Sequence, residues 1–267
     1  MKKERLDVAL TGRGLAESRE KAQALVMAGQ VYVNGQKAAK PSQQVGEGDQ
    51  VEARGAPHPY VSRGALKLEK ALRAFVIDAR GAVAVDVGAS TGGFTDVLLR
   101  AGARHVYAVD VGYGQLDWRL RSDPRVTAME RVNARYLTRA DFPERPSLAV
   151  MDVSFISILK ILPALFSILE EGGRCVSLIK PQFEAGRERV GKKGVVRDPA
   201  AHREVLERIT DGVRALGWHC AALDFSPVTG PEGNIEFLAS LLPGEAREGE
   251  NPLDIARVVE AAHASLY

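Results

Sequence analysis

The stretch Val83-Ala84-Val85-Asp86-Val87-Gly88-Ala89-Ser90-Thr91-Gly92-Gly93-Phe94-Thr95 constrains this chain more than any other. A Val-rich run closes on an acid, breaks into a glycine-rich turn and passes directly into an amphipathic segment at 94–100. Strand, tight turn, helix is the opening of a nucleotide-binding α/β unit. Gly88 and Gly92 let the backbone turn sharply and approach a ligand where a Cβ would clash. Residues 105–110 read as the next strand. Asp110 stands twenty-two residues beyond Gly88, where such folds place the carboxylate that binds a ribose diol. A lone glycine-rich βα turn also occurs without any ligand, so the rest of the pattern matters. It is D-x-G-x-x-x-G-G, with Asp86 at the strand end. An acid there repels a pyrophosphate and attracts a cation. S-adenosylmethionine carries a sulfonium and an ammonium but no phosphate, and fits that site better than a dinucleotide.

At 267 residues, 45% apolar and 26% charged, the chain suits one large globular domain plus a small one. A net charge of +2 permits a nucleic-acid partner without demanding one. Cys175 and Cys220 lie in apolar runs and read as buried thiols of a reducing compartment; neither a disulfide framework nor metal-ligand spacing is visible. The start, Met1-Lys2-Lys3-Glu4-Arg5, lacks the apolar stretch of a signal peptide. No window approaches eighteen consecutive apolar residues. A cytoplasmic protein with no membrane partner and no metal is the expectation.

Residues 1–53 read as a self-contained module. Leu6, Ala9 and Leu10 form a helical stripe broken at 12–14; Ser18 caps a second helix over 21–28 that stops at Gly29. Val31-Tyr32-Val33-Asn34-Gly35-Gln36-Lys37 is a hairpin signal around an Asn-Gly turn. Gly46 to Val51 resembles a second tight turn into a closing strand. The order R-L-D, S-R-E-K-A, G-Q-V-Y-V-N-G, K-P-S, G-D-Q-V resembles the αL-motif RNA-binding domain of a small-subunit ribosomal protein and of pseudouridine synthases. That resemblance implies that Arg5, Arg19, Lys21, Lys37 and Lys40 meet RNA phosphates. The balance is only modestly basic, nine Lys or Arg against seven acids in residues 1–61. Residues 54–61, with two prolines and a glycine, read as a stiff linker.

From Ser62 onward the chain alternates strand and helix. Ser62 reads as the cap of a helix to about Phe75. Further strands are predicted at 125–129, 147–152, 174–179, 218–225 and 234–242. Helices are predicted at 157–169, from Asp198-Pro199 to 216, and at 252–266, with a long basic loop at 182–197. The fold class is α/β: a Rossmann-like, seven-stranded, mainly parallel sheet with helices on both faces, plus the small α+β N-terminal domain. Ligands of such sheets sit at the carboxyl ends of the strands. That puts Asp86, Asp110, Asp152 and Lys180 on one edge.

Methyl transfer from a sulfonium is an in-line displacement that mainly requires positioning. A hydroxyl acceptor also needs a base. A lysine beside another lysine among apolar strand ends has its pKa lowered by both effects and suits that role. Base-methylating enzymes more often show a proline-aromatic tetrapeptide or a nucleophilic cysteine here, but Asp152-Val153-Ser154-Phe155 follows the fourth strand. The order Lys, Asp, Lys, Glu resembles the 2′-O-ribose RNA methyltransferases of the FtsJ type. The first lysine falls on Lys67 in S-R-G-A-L-K-L, and the aspartate on Asp152 in V-M-D-V-S-F. The second lysine falls on Lys180 in L-I-K-P-Q-F, and the glutamate on Glu236 in G-N-I-E-F. Taken alone, Lys67 reads as a solvated charge on a helix; the resemblance makes it a site residue.

With the N-terminal module, the whole chain resembles the TlyA-type ribosomal RNA methyltransferases, historically called haemolysin A. This implies methylation of cytidine 2′-oxygens in ribosomal RNA, with ribosomal subunits as partners and Lys180 as base. Lys67 and Glu236 set its charge state, and Asp152 orients the methyl and lysine groups. Asp86, Gly88, Ala89, Ser90, Gly92, Gly93 and Phe94 line the cofactor's methionine end, Asp110 its ribose and Asn133 its adenine. Arg63 joins the RNA-contacting set. The family linker is often R-x-W-V, and Pro59-Tyr60-Val61 stands here instead. A pore-forming protein and a non-catalytic assembly factor are the rival classes; the four intact positions oppose the second and the absence of an apolar run opposes the first.

Overall fold

The computed structural model describes residues 3–16, 18–27, 29–53, 59–191, 193–246 and 252–267. The expected linker core at 54–58, the end of the second helix at Ala28 and the acidic stretch at 247–251 lie outside the described residues. The chain divides into two compact units, Met1–Pro59 and Tyr60–Tyr267. Tyr60 and Val61, read as linker, belong to the second: the Tyr60 hydroxyl donates to Glu69 at 2.6 Å and the Val61 amide to Asp96 at 3.0 Å.

The first unit runs β1 (Lys3–Arg5), α1 (Leu6–Gly12), α2 (Arg19–Met27), β2 (Val31–Val33), β3 (Gln36–Lys37), β4 (Gln44–Gly46) and β5 (Val51–Ala53). Asn34 and Gly35 both adopt positive φ, 51° and 77°, as a two-residue turn between right-twisted strands requires. Ser18 Oγ accepts from the Lys21 amide at 3.2 Å, so the expected cap is formed. β1 was not expected: Lys3-Glu4-Arg5 carries no strand signature and becomes extended only by pairing antiparallel with β4.

Asp7 is fully buried and accepts from Arg5 (3.0 and 2.9 Å), Arg19 (3.1 Å) and Gln23 (2.9 Å). The Arg5 hydrogen bonds, above all, hold its carboxyl well below the usual carboxylate range. A folded-state value below the unfolded one contributes stability above the unfolded pKa and loses it as pH falls. Replacing Asp7 by Ala leaves two guanidiniums without their shared acceptor. It should cost this unit about 2–3 kcal/mol at neutral pH, read from urea unfolding, with a smaller difference at pH 3.

The second unit is a seven-stranded sheet in the order β11-β12-β10-β9-β6-β7-β8. The strands are β6 (Val83–Val87), β7 (His105–Asp110), β8 (Val126–Glu130), β9 (Leu148–Met151), β10 (Arg174–Ile179), β11 (Trp218–Phe225) and β12 (Phe237–Pro243). β6 to β10 run parallel, whereas β12 is antiparallel to both β10 and β11. Helices α3 (Ala65–Ala74), α4 (Gly93–Arg100), α5 (Trp118–Arg121), α6 (Leu162–Ile168), α7 (Pro181–Glu184), α8 (Pro199–Ala215) and α9 (Ile255–Leu266) complete it.

Both faces of the sheet are covered, as near-continuous apolar strands demand. Val83, Val85 and Val87 pack with α6, α8 and α9; Ala84, Val106 and Val150 pack with α3 and α4. The chain leaves β6 first toward β7 and β8, then returns on its other side with β9. A crevice therefore opens between the carboxyl ends of β6 and β9, the switch point where ligands of such sheets bind.

Several boundaries differ from expectation, these three among them. α3 begins only at Ala65, with Gly64 at its N-cap and no side-chain cap. Ser62 packs instead where a Cβ on Gly93 would lie, 2.3 Å from such an atom. The predicted helix at 157–169 is a short 3-10 turn, Ile158–Lys160, followed by α6, because Pro163 in the first turn restarts the helix. The last strand starts at Phe237, leaving Glu236 just outside it.

Candidate active site

The crevice is closed at its base by Gly88. Its φ is +84°, and a Cβ there would lie 2.4 Å from the Asp152 carbonyl oxygen, so the turn after β6 touches the end of β9 directly. Asp152 follows β9 by one residue, Asp110 ends β7, and Lys180 follows β10 as the N-cap of α7. Three of the four predicted edge charges are therefore at strand ends.

Asp86 is the exception. It is the fourth residue of β6 and completely buried, on the α4 face rather than at the rim. One carboxylate oxygen accepts from the Thr95 hydroxyl at 2.7 Å; the other is buried with no hydrogen-bond partner among the described residues. Burial, reinforced by the charges of Asp152 and Asp110 and opposed by Thr95, pushes its pKa up to about 7. Because the folded-state value exceeds the unfolded value near 4, folding disfavours the charged form. The contribution of Asp86 to stability is most favourable below about pH 4, declines as pH rises toward 7, and carries the full penalty above it. Asp86→Asn should flatten that decline, raising the melting temperature at pH 8 and changing it little at pH 4. A cationic ligand shifts this carboxyl toward its charged form. Binding of S-adenosylmethionine at pH 7 should thus release a fraction of a proton in the wild type and none in Asp86→Asn, as titration calorimetry in buffers of different ionisation enthalpy will read.

Asp110 is held in place by two amides: one oxygen accepts from Ser90 at 2.7 Å, the other from Gly112 at 2.7 Å. Gly88 and Ala89 donate to the Val109 carbonyl, which holds the turn against β7. The orphaned acidic oxygen of Asp86 and the fixed Asp110 carboxylate fit a ligand with a cationic end and a ribose. They do not fit a pyrophosphate.

Beside this crevice the four predicted catalytic side chains meet. Lys67 Nζ lies 2.6 Å from Glu236 Oε2 and 3.5 Å from Asp152 Oδ2; Lys180 Nζ lies 2.5 Å from Asp152 Oδ1 and donates to Ser154 Oγ at 3.0 Å. The side chains of both lysines are about one-tenth exposed and that of Glu236 is fully buried. Glu236 reaches this edge because β12 is antiparallel: its amino end lies with the carboxyl ends of its neighbours. The pKa expectation for the lysines fails at Lys67. Burial pulls its ammonium down, but Asp152 and Glu236 more than offset that and raise it above the ordinary lysine value. Lys67 is an ion-paired strut between Asp152 and Glu236.

Several predicted residues have other work. Phe94 is a buried core residue, and Gly92 packs under Leu116 and Leu120, as Gly93 does against Ser62. The first turn of α4 faces the protein interior, so only the preceding turn borders the crevice. The Asn133 side-chain oxygen accepts from the Arg135 amide and caps a short 3-10 turn, the bland role for such an amide. Arg5 and Arg19 are committed to Asp7, and Arg63 donates to the Thr229 carbonyl at 3.0 Å. The Lys37 side chain lies across Gly29, where a Cβ would meet its Cε at 2.2 Å. Lys21 and Lys40 are exposed.

Two site features were missed. Ser154 is the second partner of Lys180. Phe155 is 90% exposed, holds a φ of +65° that non-glycine residues rarely adopt, and has its ring 5.0 Å from that of Phe183. An aromatic three residues after a strand-end acid was the available signal.

A switch-point crevice with a glycine turn, a buried acid in β6 and an acid at the end of β7, on a sheet whose last strand runs antiparallel, defines a Rossmann-like methyltransferase fold. The family model for FtsJ-like methyltransferases matches residues 60–242 and that for the S4 domain matches residues 4–51. The chain belongs to the FtsJ-like methyltransferase family. YqxC of Bacillus subtilis, an rRNA methyltransferase by name, is 54% identical over 269 residues, 99% of this chain and 96% of its own. The 16S/23S rRNA (cytidine-2′-O)-methyltransferase TlyA of Mycobacterium tuberculosis is 46% identical over 234 residues, 87% of each chain. A solved structure named as a hemolysin, from Streptococcus thermophilus, is 49% identical with a TM-score of 0.79, covering 99% of this chain and 97% of that one.

Proposed function

We propose that this protein transfers the methyl group of S-adenosylmethionine to the 2′-oxygen of cytidine in ribosomal RNA. The observation that carries the reading is the meeting of Lys67, Asp152, Lys180 and Glu236 beside the crevice, with ion-pair distances of 2.5–3.5 Å. A ribose hydroxyl is a very weak acid and needs cations around the developing alkoxide together with a proton acceptor. S-adenosylmethionine, when bound, supplies an electrophilic methyl on a sulfonium.

Lys180 and Asp152 form the proton-accepting pair, joined at 2.5 Å and steadied by Ser154. Lys67, held charged by two carboxylates, supplies the fixed positive field, and Glu236 holds Lys67. Asp86 faces the cationic end of the cofactor and Asp110 its ribose. Phe155 offers an exposed ring beside the site on which a base can stack, the mode by which unpaired RNA bases are usually held. The N-terminal S4 unit supplies affinity for RNA phosphates through Lys21, Lys37, Lys40 and the outward edges of Arg5 and Arg19. The reaction belongs to the cytoplasm, where ribosomal subunits are made.

No helix among the described residues is long and apolar enough to cross a membrane. The deciding measurement is transfer of tritiated methyl to unmodified ribosomal RNA, followed by digestion to nucleosides. The label should elute as 2′-O-methylcytidine. Lysis of liposomes without incorporation would favour a hemolysin, and tight RNA binding without incorporation an assembly factor.

A further inference from the structure

Lys70 sits one helical turn after Lys67, on the same side of α3. Its side chain is mostly buried, 17% exposed, and its ammonium has three partners. It donates to Asp224 Oδ1 at 2.8 Å and to the Phe225 carbonyl at 2.6 Å, and lies 3.6 Å from the centre of the Phe225 ring. These are the last two residues of β11. Phe225 is paired with Phe237, the first residue of β12, and the Ser226 amide donates to the Glu236 carbonyl at 2.8 Å. The grip of Lys70 therefore falls one residue from the backbone that carries Glu236. Arg63, just before α3, takes the Thr229 carbonyl in the connecting loop. That loop also confines the carboxylate of Glu236, which lies 2.2 Å from where a Cβ on Gly230 would stand.

We propose that Lys70 is a positioning residue for the methyl-transfer site, pinning α3 to the β11–β12 hairpin so that Lys67 and Glu236 meet at the correct separation. This rests on the methyltransferase reading above. The physical reason is a division of labour. The Lys67–Glu236 contact must reorganise when a ribose hydroxyl enters beside it, so it cannot also be the fastener between helix and hairpin. Lys70 makes that fastening with a charged hydrogen bond, a backbone hydrogen bond and a cation–π contact, none of which touches the reacting atoms.

The test compares Lys70→Met, Lys70→Arg and Asp224→Asn in the full-length chain. Lys70→Met should lower kcat about tenfold or more while KM for RNA and for S-adenosylmethionine stays within about threefold. Lys70→Arg, able to reach the same carboxylate and carbonyl, should recover much of the loss. Combined with Glu236→Gln, the Lys70→Met effect should be far less than multiplicative, because both act on one unit. Should Lys70→Met not fold, Asp224→Asn, which keeps the side-chain volume, should move kcat in the same direction by a smaller factor. A readout that needs no turnover is the 15N NMR signal of the Lys67 ammonium, protected in the wild type and exchange-broadened in Lys70→Met. Unchanged kcat with an unchanged Lys67 signal, or a fully multiplicative double variant, overturns the proposal. An inactive wild type would instead overturn the methyltransferase reading, and the Lys67 signal would still decide the role of Lys70.

Discussion

Replacing Lys180 by alanine is expected to lower single-turnover methyl transfer on the order of 10³-fold, with the affinity for S-adenosylmethionine within about threefold of wild type. The magnitude follows from what the side chain supplies. Lys180 is the cation nearest Asp152 and is steadied by Ser154, which fits it to the proton transfer of the proposed reaction. Without it, the alkoxide forms beside the negative Asp152 with the more distant Lys67, 3.5 Å from that carboxylate, left to offset the charge. The proposed cofactor contacts, Asp86, Asp110 and the turn at Gly88, share no hydrogen bond with Lys180 among the described residues, so binding is expected to survive. Lys180→Arg separates two roles: a guanidinium keeps the charge and cannot act as a base. It should remain within about tenfold of the alanine variant. An arginine variant close to wild type would show that Lys180 acts as a charge only and that the base lies elsewhere.

The second large effect is expected at Gly88, and it is structural first. A methyl group there meets two costs at once. The φ of +84° is unfavourable for any L-residue by about 1–2 kcal/mol. The Cβ would also overlap a backbone carbonyl at 2.4 Å, which cannot swing aside as a side chain does. Relief requires the end of β9 to move, and Asp152 moves with it. Gly88→Ala should therefore cost about 3–5 kcal/mol in urea unfolding. At temperatures where the variant is still folded, it should also lose most of both cofactor binding and turnover. A loss below about 1 kcal/mol would mean that β6 and β9 are not in direct contact at the crevice.

Much of this was legible before any coordinates. The run from Val83 to Thr95 carries its own geometry: valines that must be buried on both faces, and glycines where the backbone turns. The Asn34-Gly35 hairpin and the caps at Ser18 and Asp198 are equally local, since each is formed by hydrogen bonds within a few residues. Lys67 was legible only through family resemblance, because an isolated lysine on a helix is normally solvated.

The ring of Phe94 is buried in the core, and the spaces where a Cβ on Gly92 or Gly93 would stand are filled by Leu116, Leu120 and Ser62, contacts that the glycine motif by itself does not show. Asp86 was placed at the rim because it closes an apolar run, yet strand alternation sends its side chain into the sheet's α4 face. Arg5 and Arg19, which the family resemblance gives to RNA, also bond the buried Asp7, a partner twelve residues from Arg19 that charge patterning does not reveal.

The sequence by itself determined the alternating strands and main helices of the larger unit, the glycine turns, and that a cationic cofactor is favoured over a dinucleotide, because propensity, patterning and the sign of a local charge act over short spans. The tertiary structure alone decided which charges meet. Lys67 and Glu236 are 2.6 Å apart although 169 positions separate them, and that contact exists only because the final strand reverses direction and α3 is fastened across it. It also decided the charge state of Lys67, since burial and ion pairing act in opposite directions and only the distances say which prevails.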